Sequence, residues 1–170
     1  MFSGCYTAMI TPMSDSSVDY DGLKSLLEFQ VRSGVSGVVM VGTTGESPTL
    51  TWKEHMTVIE QALNHVSERF LVVAGTGSNS TEEALEATKR SWDFGARAAL
   101  LIDPYYNGPS SVEIRKEYLE PIARSVPEMQ LIPYVIPGRT GTQLMPHDLA
   151  ILHRAVKNVN SVKEATGDYD

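Results

Sequence analysis

Six short runs of apolar, largely β-branched residues, at 5–10, 37–41, 70–74, 98–102, 131–136 and 161–163, recur roughly every 30 residues, the size of one strand-plus-helix unit. A strand whose successor is reached through a helix lies parallel to that successor. The repeat therefore predicts a parallel sheet covered by helices. Between the runs the apolar period changes from strand-like to 3.6. Leu23, Leu26, Leu27 and Val31 share one face of 20–33, Met56, Ile59 and Leu63 one face of 52–66, and Ala84, Leu85, Thr88 and Trp92 one face of 81–94. Two further helices are expected at 112–125 and 146–156. Their boundaries carry chemical signals. Asp19 or Asp21, Thr51 with Glu54, and Ser80 or Thr81 with Glu83 can cap free backbone N–H groups, and Gly34 and Gly95 mark stops.

With 170 residues, 42% hydrophobic and 21% charged, the chain has the composition of one ordinary globular domain, expected over 1–170. A formal net charge of −7 argues against nucleic acid and anionic membrane surfaces as partners and favours small molecules. The single Cys5 can form no internal disulfide, and no apolar run is long enough for a membrane span. The expected location is the cytoplasm. His55, His65, His147 and His153 lack zinc-site spacing, so neither a metal nor another cofactor is expected.

Unusual residues cluster after the apolar runs: Gly42-Thr43-Thr44-Gly45-Glu46-Ser47, Gly75-Thr76-Gly77-Ser78-Asn79, Asp103-Pro104-Tyr105-Tyr106-Asn107 and Pro137-Gly138-Arg139-Thr140-Gly141. An open doubly wound sheet concentrates its site at one switch point, whereas a barrel draws on many strand ends, so the pattern favours a (β/α) barrel. Gly75-Thr76-Gly77 lacks the third glycine of a dinucleotide-binding turn. Within Val162-Lys163-Glu164-Ala165-Thr166-Gly167, a lysine amine closes the last apolar run. Apolar surroundings disfavour its charged form and make it a candidate Schiff-base nucleophile.

Taken together, GTTGES at 42–47, AGTGSNST at 74–81, DPYYNGPS at 103–110, Tyr134 followed by PGRTG at 137–141, and VKEATGD at 162–168 resemble the dihydrodipicolinate synthase and N-acetylneuraminate lyase superfamily of pyruvate-dependent class I aldolases. The resemblance implies an α/β fold of the TIM (β/α)8 barrel family, of which this chain carries about six βα units. It implies that Lys163 forms an imine with pyruvate, that Tyr134, Thr43 and Tyr106 relay protons, and that the turn of Thr43 and Thr44 receives a carboxylate. It also implies that Arg139 grips the carboxylate of a second substrate, aspartate semialdehyde, in lysine biosynthesis; sialic-acid lyases generally lack this arginine. Adjacent Tyr105 and Tyr106 cannot both face one way in extended backbone. The family suggests a homodimer or homotetramer with this loop at the interface, and a possible feedback site for lysine made by Ser47, Trp52, His55, Asn79, Glu83 and Tyr105.

Two departures stand out. Val135 and Gly138 replace residues the family more often fills with asparagine and serine, and Pro133 deprives the strand carrying Tyr134 of one N–H donor. Complete barrels run to about 250 residues, so the chain is expected to lack strands seven and eight with their helices, leaving strands one and six as edges. Alternatives to the synthase reaction are another pyruvate-dependent aldolase, such as an N-acetylneuraminate or keto-deoxy-sugar lyase, and a non-catalytic paralogue acting in assembly.

Overall fold

The computed structural model describes residues 3–168. Six strands form one parallel sheet: β1 (Tyr6–Ala8), β2 (Gly37–Met40), β3 (Leu71–Gly75), β4 (Ala98–Ile102), β5 (Gln130–Val135) and β6 (Lys163–Glu164). Strand order in the sheet is strand order in the chain, with β1 and β6 at the edges. The sheet is parallel, as the repeat predicted, and curled into a half-barrel, as the spread of unusual residues over many strand ends favoured.

Alternation sorts side chains between the two faces. Val72, Ala74, Ala99, Leu101, Leu131 and Val135 enter the large core beneath the helices, while Val73, Ala98, Leu100 and Tyr134 form a smaller cluster on the opposite, concave face. The first core is closed by helices α1 (Tyr20–Arg32), α2 (Trp52–His65) and α3 (Thr81–Asp93), which supply Leu23, Leu27, Met56, Ile59, Ala84 and Ala87. The ambiguous start signals resolve to Asp19 and Ser80, whose side chains accept from Gly22 and Glu83 N–H, and Thr51 with Glu54 makes a reciprocal capping box. Gly34 and Gly95 end their helices with φ of 75° and 104°, where only glycine is unstrained.

The fourth helical stretch, α4, runs over 111–125 and is not uniform. Ser111–Glu113 and Glu120–Ser125 are α-helical, but Ile114–Leu119 is a π turn. Pro121 explains it. Without an N–H it cannot bond the carbonyl of Glu117, and that carbonyl accepts the Thr81 hydroxyl at 3.0 Å instead. Two further helices lie between β5 and β6, α5 (Pro137–Thr140) and α6 (Pro146–Ala155). Arg115 bridges α4 to α6 through buried Asp148 (Nε–Oδ1 2.8 Å) and also pairs with Glu120 at 2.7 Å.

Several elements go beyond the sequence pattern: a hairpin of Met13–Ser14 with Ser17–Val18, a 3-10 turn at Ser47–Thr49, and α5 itself. Pro133 does not displace Tyr134. β5 continues through it, with Leu101 opposite Pro133 and Ile102 opposite Tyr134. No helix among the described residues is long and apolar enough to cross a membrane.

Candidate active site

The carboxyl ends of β2, β3, β4 and β5 border a cavity of about 210 Å³. Its walls include Thr43 and Ser47 after β2, Gly75 at the end of β3 and Gly77 after it, Tyr105 after β4, Tyr134 on β5, and Arg139 and Thr140 on α5, with Leu100 and Ile102 supplying apolar surface. This is the distribution over several strand ends that distinguishes a barrel from an open sheet.

Backbone geometry shapes the β2 wall. Val41 leaves the strand with φ 47°, a left-handed conformation that a β-branched residue adopts only against steric strain. The chain then turns tightly, Gly45 and Ser47 N–H donating to Gly42 O at 3.0 and 3.4 Å and Glu46 N–H to Thr43 O at 3.1 Å. Those three N–H groups are thus engaged within the turn. Thr43 faces the cavity, whereas Thr44 is exposed and does not line it. Strand β3 approaches so closely that a Cβ on Gly75 would lie 2.6 Å from Val41 O. Only glycine lets the two backbones meet there.

Lys163 stands opposite Tyr134 in the β5–β6 register. Its Nζ lies 4.2 Å from the centroid of the Tyr134 ring, and that buried ring forms part of the cavity wall. Burial of the half-buried amine lowers its pKa, and the positive charge of Arg139 lowers it further. The electron-rich ring face beneath the amine favours the ammonium form and opposes both effects. The result is an amine drawn toward its neutral, nucleophilic form beside a cationic fork.

The two tyrosines after β4 diverge, but not in the extended backbone that alternation assumes, since Tyr106 is left-handed. Tyr105 lines the cavity, while Tyr106, at φ 73°, is 92% exposed and lies outside the cavity of its own chain. The six residues grouped by the resemblance as a lysine site are not gathered into one cavity. Ser47 and Tyr105 face the main cavity, whereas Trp52 and Glu83 border a separate groove between α2 and α3. His55 is buried. Its Nε2 donates to Gly75 O at 2.7 Å, which leaves neutral Nδ1 to accept from the Ser47 hydroxyl at 3.4 Å, and the Trp52 ring sits 4.9 Å away, centroid to centroid. Burial pushes the His55 pKa down, with the Gly75 bond opposing. Asn79 and Glu83 are exposed, and Glu83 accepts from the Ser78 hydroxyl at 2.7 Å.

One polar group that sequence reasoning passed over is Asp103, which directly follows β4 and is fully buried. The signal was present: a carboxyl immediately after five apolar residues, AALLI, has left the strand pattern without reaching water. Thr140 was likewise missed, because PGRTG reads as loop although it holds a complete helix start and stop. Pro137 stands at its first turn, and Gly141 follows at φ 70°.

The family model described as the dihydrodipicolinate synthetase family matches residues 1–170. A 4-hydroxy-tetrahydrodipicolinate synthase of Methanococcus maripaludis is 48% identical over 162 residues, covering 95% of this chain and 55% of its own. One from Syntrophobacter fumaroxidans is 46% identical over 167 residues, with 98% and 56% covered. The crystal structure of the chloride-inhibited dihydrodipicolinate synthase from Acinetobacter baumannii complexed with pyruvate superposes with a TM-score of 0.92 at 42% identity, over 97% of this chain and 56% of that one. The chain thus spans little more than half the length of these relatives.

Proposed function

Given that the chain belongs to the dihydrodipicolinate synthetase family, we propose that the protein condenses pyruvate with L-aspartate 4-semialdehyde through a Schiff base on Lys163. The observation that carries the proposal is the Lys163 amine over the Tyr134 ring at a cavity wall, lowered in pKa by burial and by Arg139. The amine attacks the ketone of pyruvate, and loss of water leaves an imine whose nitrogen draws electrons from the adjacent methyl group. A methyl proton departs and an enamine forms. Its carbon attacks the aldehyde of the second substrate, whose own amine then displaces Lys163 as the ring closes, giving 4-hydroxy-tetrahydrodipicolinate and the free lysine.

Tyr134 and Thr43 line the same cavity and can move protons at the imine, and the Thr43 end of the β2 turn serves the pyruvate carboxylate, while Thr44 stands outside the cavity. Arg139, on a cavity wall formed by α5, offers two parallel hydrogen bonds to the carboxylate of aspartate semialdehyde. Tyr106 points away from its own cavity, and its exposure supports a role in a neighbouring copy of a homo-oligomer. The Ser47–His55–Trp52 cluster supports a feedback site for lysine at this end of the sheet. The protein would work in the cytoplasm, without a cofactor.

Borohydride reduction in the presence of pyruvate tests the chemistry. The expected product is a three-carbon adduct on Lys163, absent from Lys163→Ala; an adduct on another lysine, or none, overturns the assignment.

A further inference from the structure

The loop after β4 and the segment after β5, which follow neighbouring strands, carry two of the cavity's lining residues, Tyr105 and Arg139. Between them lies a buried suture. The Leu144 N–H donates to Asp103 Oδ2 at 2.9 Å, and the Thr142 hydroxyl donates to Pro104 O at 2.8 Å. Thr142 is in turn tied to the helix of Arg139, since the Thr140 hydroxyl donates to Thr142 O at 2.9 Å and accepts from Thr142 N–H at 3.3 Å. On the strand side, Asp103 N–H donates to Tyr134 O at 3.2 Å, fixing the carboxyl relative to the strand that bears the proposed proton donor.

Asp103 and Leu144 are both buried, at 0% and 2% exposure. A buried backbone N–H needs an acceptor, and a side chain at the end of β4 supplies it. Yet among the described residues the carboxyl makes no ion pair. Its other oxygen, Oδ1, has no hydrogen-bond partner among the described residues; Tyr118, close enough for its ionisation to be opposed by Asp103, accepts from Ser78 N–H at 3.1 Å and makes no bond to the carboxyl. All of the carboxyl's directional bonding therefore goes to Leu144.

Resting on the reading of the cavity as a pyruvate and aspartate-semialdehyde site, we propose that Asp103 is a positioning residue: it holds the segment after β5, and with it Arg139, at the correct span from Tyr105. It touches no substrate. Its consequence falls on the second carboxylate, which Arg139 is to receive, and not on the imine at Lys163. Loss of the bond lets the 141–145 segment drift, and a displacement of one ångström at a clamp of this kind is costly to its ligand.

Amide hydrogen exchange on the full chain tests the suture without reference to activity. In Asp103→Ala the Leu144 amide should exchange roughly ten- to a hundredfold faster while the core of β3 and β4 keeps its protection, because one strong hydrogen bond is lost locally. Asp103→Asn retains a side-chain oxygen for Leu144 and should restore slow exchange. Thr142→Val removes the neighbouring bond only and should leave Leu144 protected, which keeps the proposal testable should the alanine variant fail to fold. An unchanged Leu144 rate in Asp103→Ala, or a free amide in Asp103→Asn or Thr142→Val, overturns it. In turnover, the KM for aspartate semialdehyde should rise about tenfold in Asp103→Ala, with pyruvate trapping at Lys163 within about twofold, and recover in Asp103→Asn. Equal losses for both substrates overturn the positioning role. A parent chain that traps no pyruvate would instead overturn the reading of the reaction, and the exchange rates would still decide on Asp103.

Discussion

Replacing Asp103 by Asn should make the protein more stable at neutral pH and leave it nearly unchanged in acid. Burial raises the Asp103 pKa from 3.8 to about 6, against a smaller lowering by the Leu144 N–H. Because the folded-state value exceeds the unfolded one, the folded protein holds the proton more tightly. The stability that proton confers is complete below about pH 4 and is lost as pH rises through about 6. A difference of about two units corresponds to about 3 kcal/mol, the cost of keeping an ionised carboxyl in a dry site. An amide resembles the neutral acid in shape and offers the same oxygen to Leu144, so Asp103→Asn escapes that cost at every pH. For a domain of this size the gain at pH 8 should be roughly 6–12 °C in melting temperature. The assay is paired denaturation of the two proteins from pH 4 to pH 8, in which other titrating groups cancel from the difference. An advantage independent of pH, or a less stable variant at pH 8, would refute the burial argument.

Gly75→Ala should destabilise the fold by about 1–3 kcal/mol in urea denaturation, because its Cβ would meet Val41 O at 2.6 Å and Met40 O at 2.8 Å, both rigid backbone atoms. Gly138→Ala, with nothing within 4 Å, serves as the control and should stay within about 0.5 kcal/mol of the parent; equal effects would show that close backbone approach is not what Gly75 provides. Arg139→Ala should raise the Lys163 pKa by removing the nearby positive charge, which moves the pH dependence of pyruvate trapping toward alkali. It should also weaken use of aspartate semialdehyde about ten- to a hundredfold through loss of a charge-assisted contact. No alkaline movement would mean that burial alone tunes the amine.

Much of the architecture was legible because it rests on periodicity. The apolar runs sit within a residue or two of five strands, and the capping residues mark the starts of α1, α2 and α3. Strand β6 was the weakest, with only Lys163 and Glu164 paired. What escaped depends on contacts distant in sequence. The π turn needs both Pro121 and the Thr81 hydroxyl, 36 residues from the carbonyl it meets. The partner of Asp103 lies 41 residues away. The direction in which Tyr105 and Tyr106 diverge follows from the φ of 73° at Tyr106, which no local pattern announces. Motif resemblance grouped Lys163, Tyr134, Thr43 and Arg139; Tyr134, Thr43 and Arg139 line one cavity, and the Lys163 amine is not on its lining but stands 4.2 Å from the Tyr134 ring centroid. The resemblance could not reveal that Thr44 looks outward from the same turn.

Because the six described strands lie in the sheet in chain order, each pairing between them closes a loop of similar length. Entropic closure costs are therefore nearly equal from one unit to the next, since they grow only slowly with loop length. During synthesis the sheet can extend in one direction, every added strand docking on the edge left by its predecessor. The cavity is built in the same sequence: Thr43 is placed first, then Tyr105, then Tyr134 with Arg139. Lys163 arrives last, so its amine meets the Tyr134 ring beside a pocket whose described lining already stands, and the proposed nucleophile is not in place until the five preceding strands are in register.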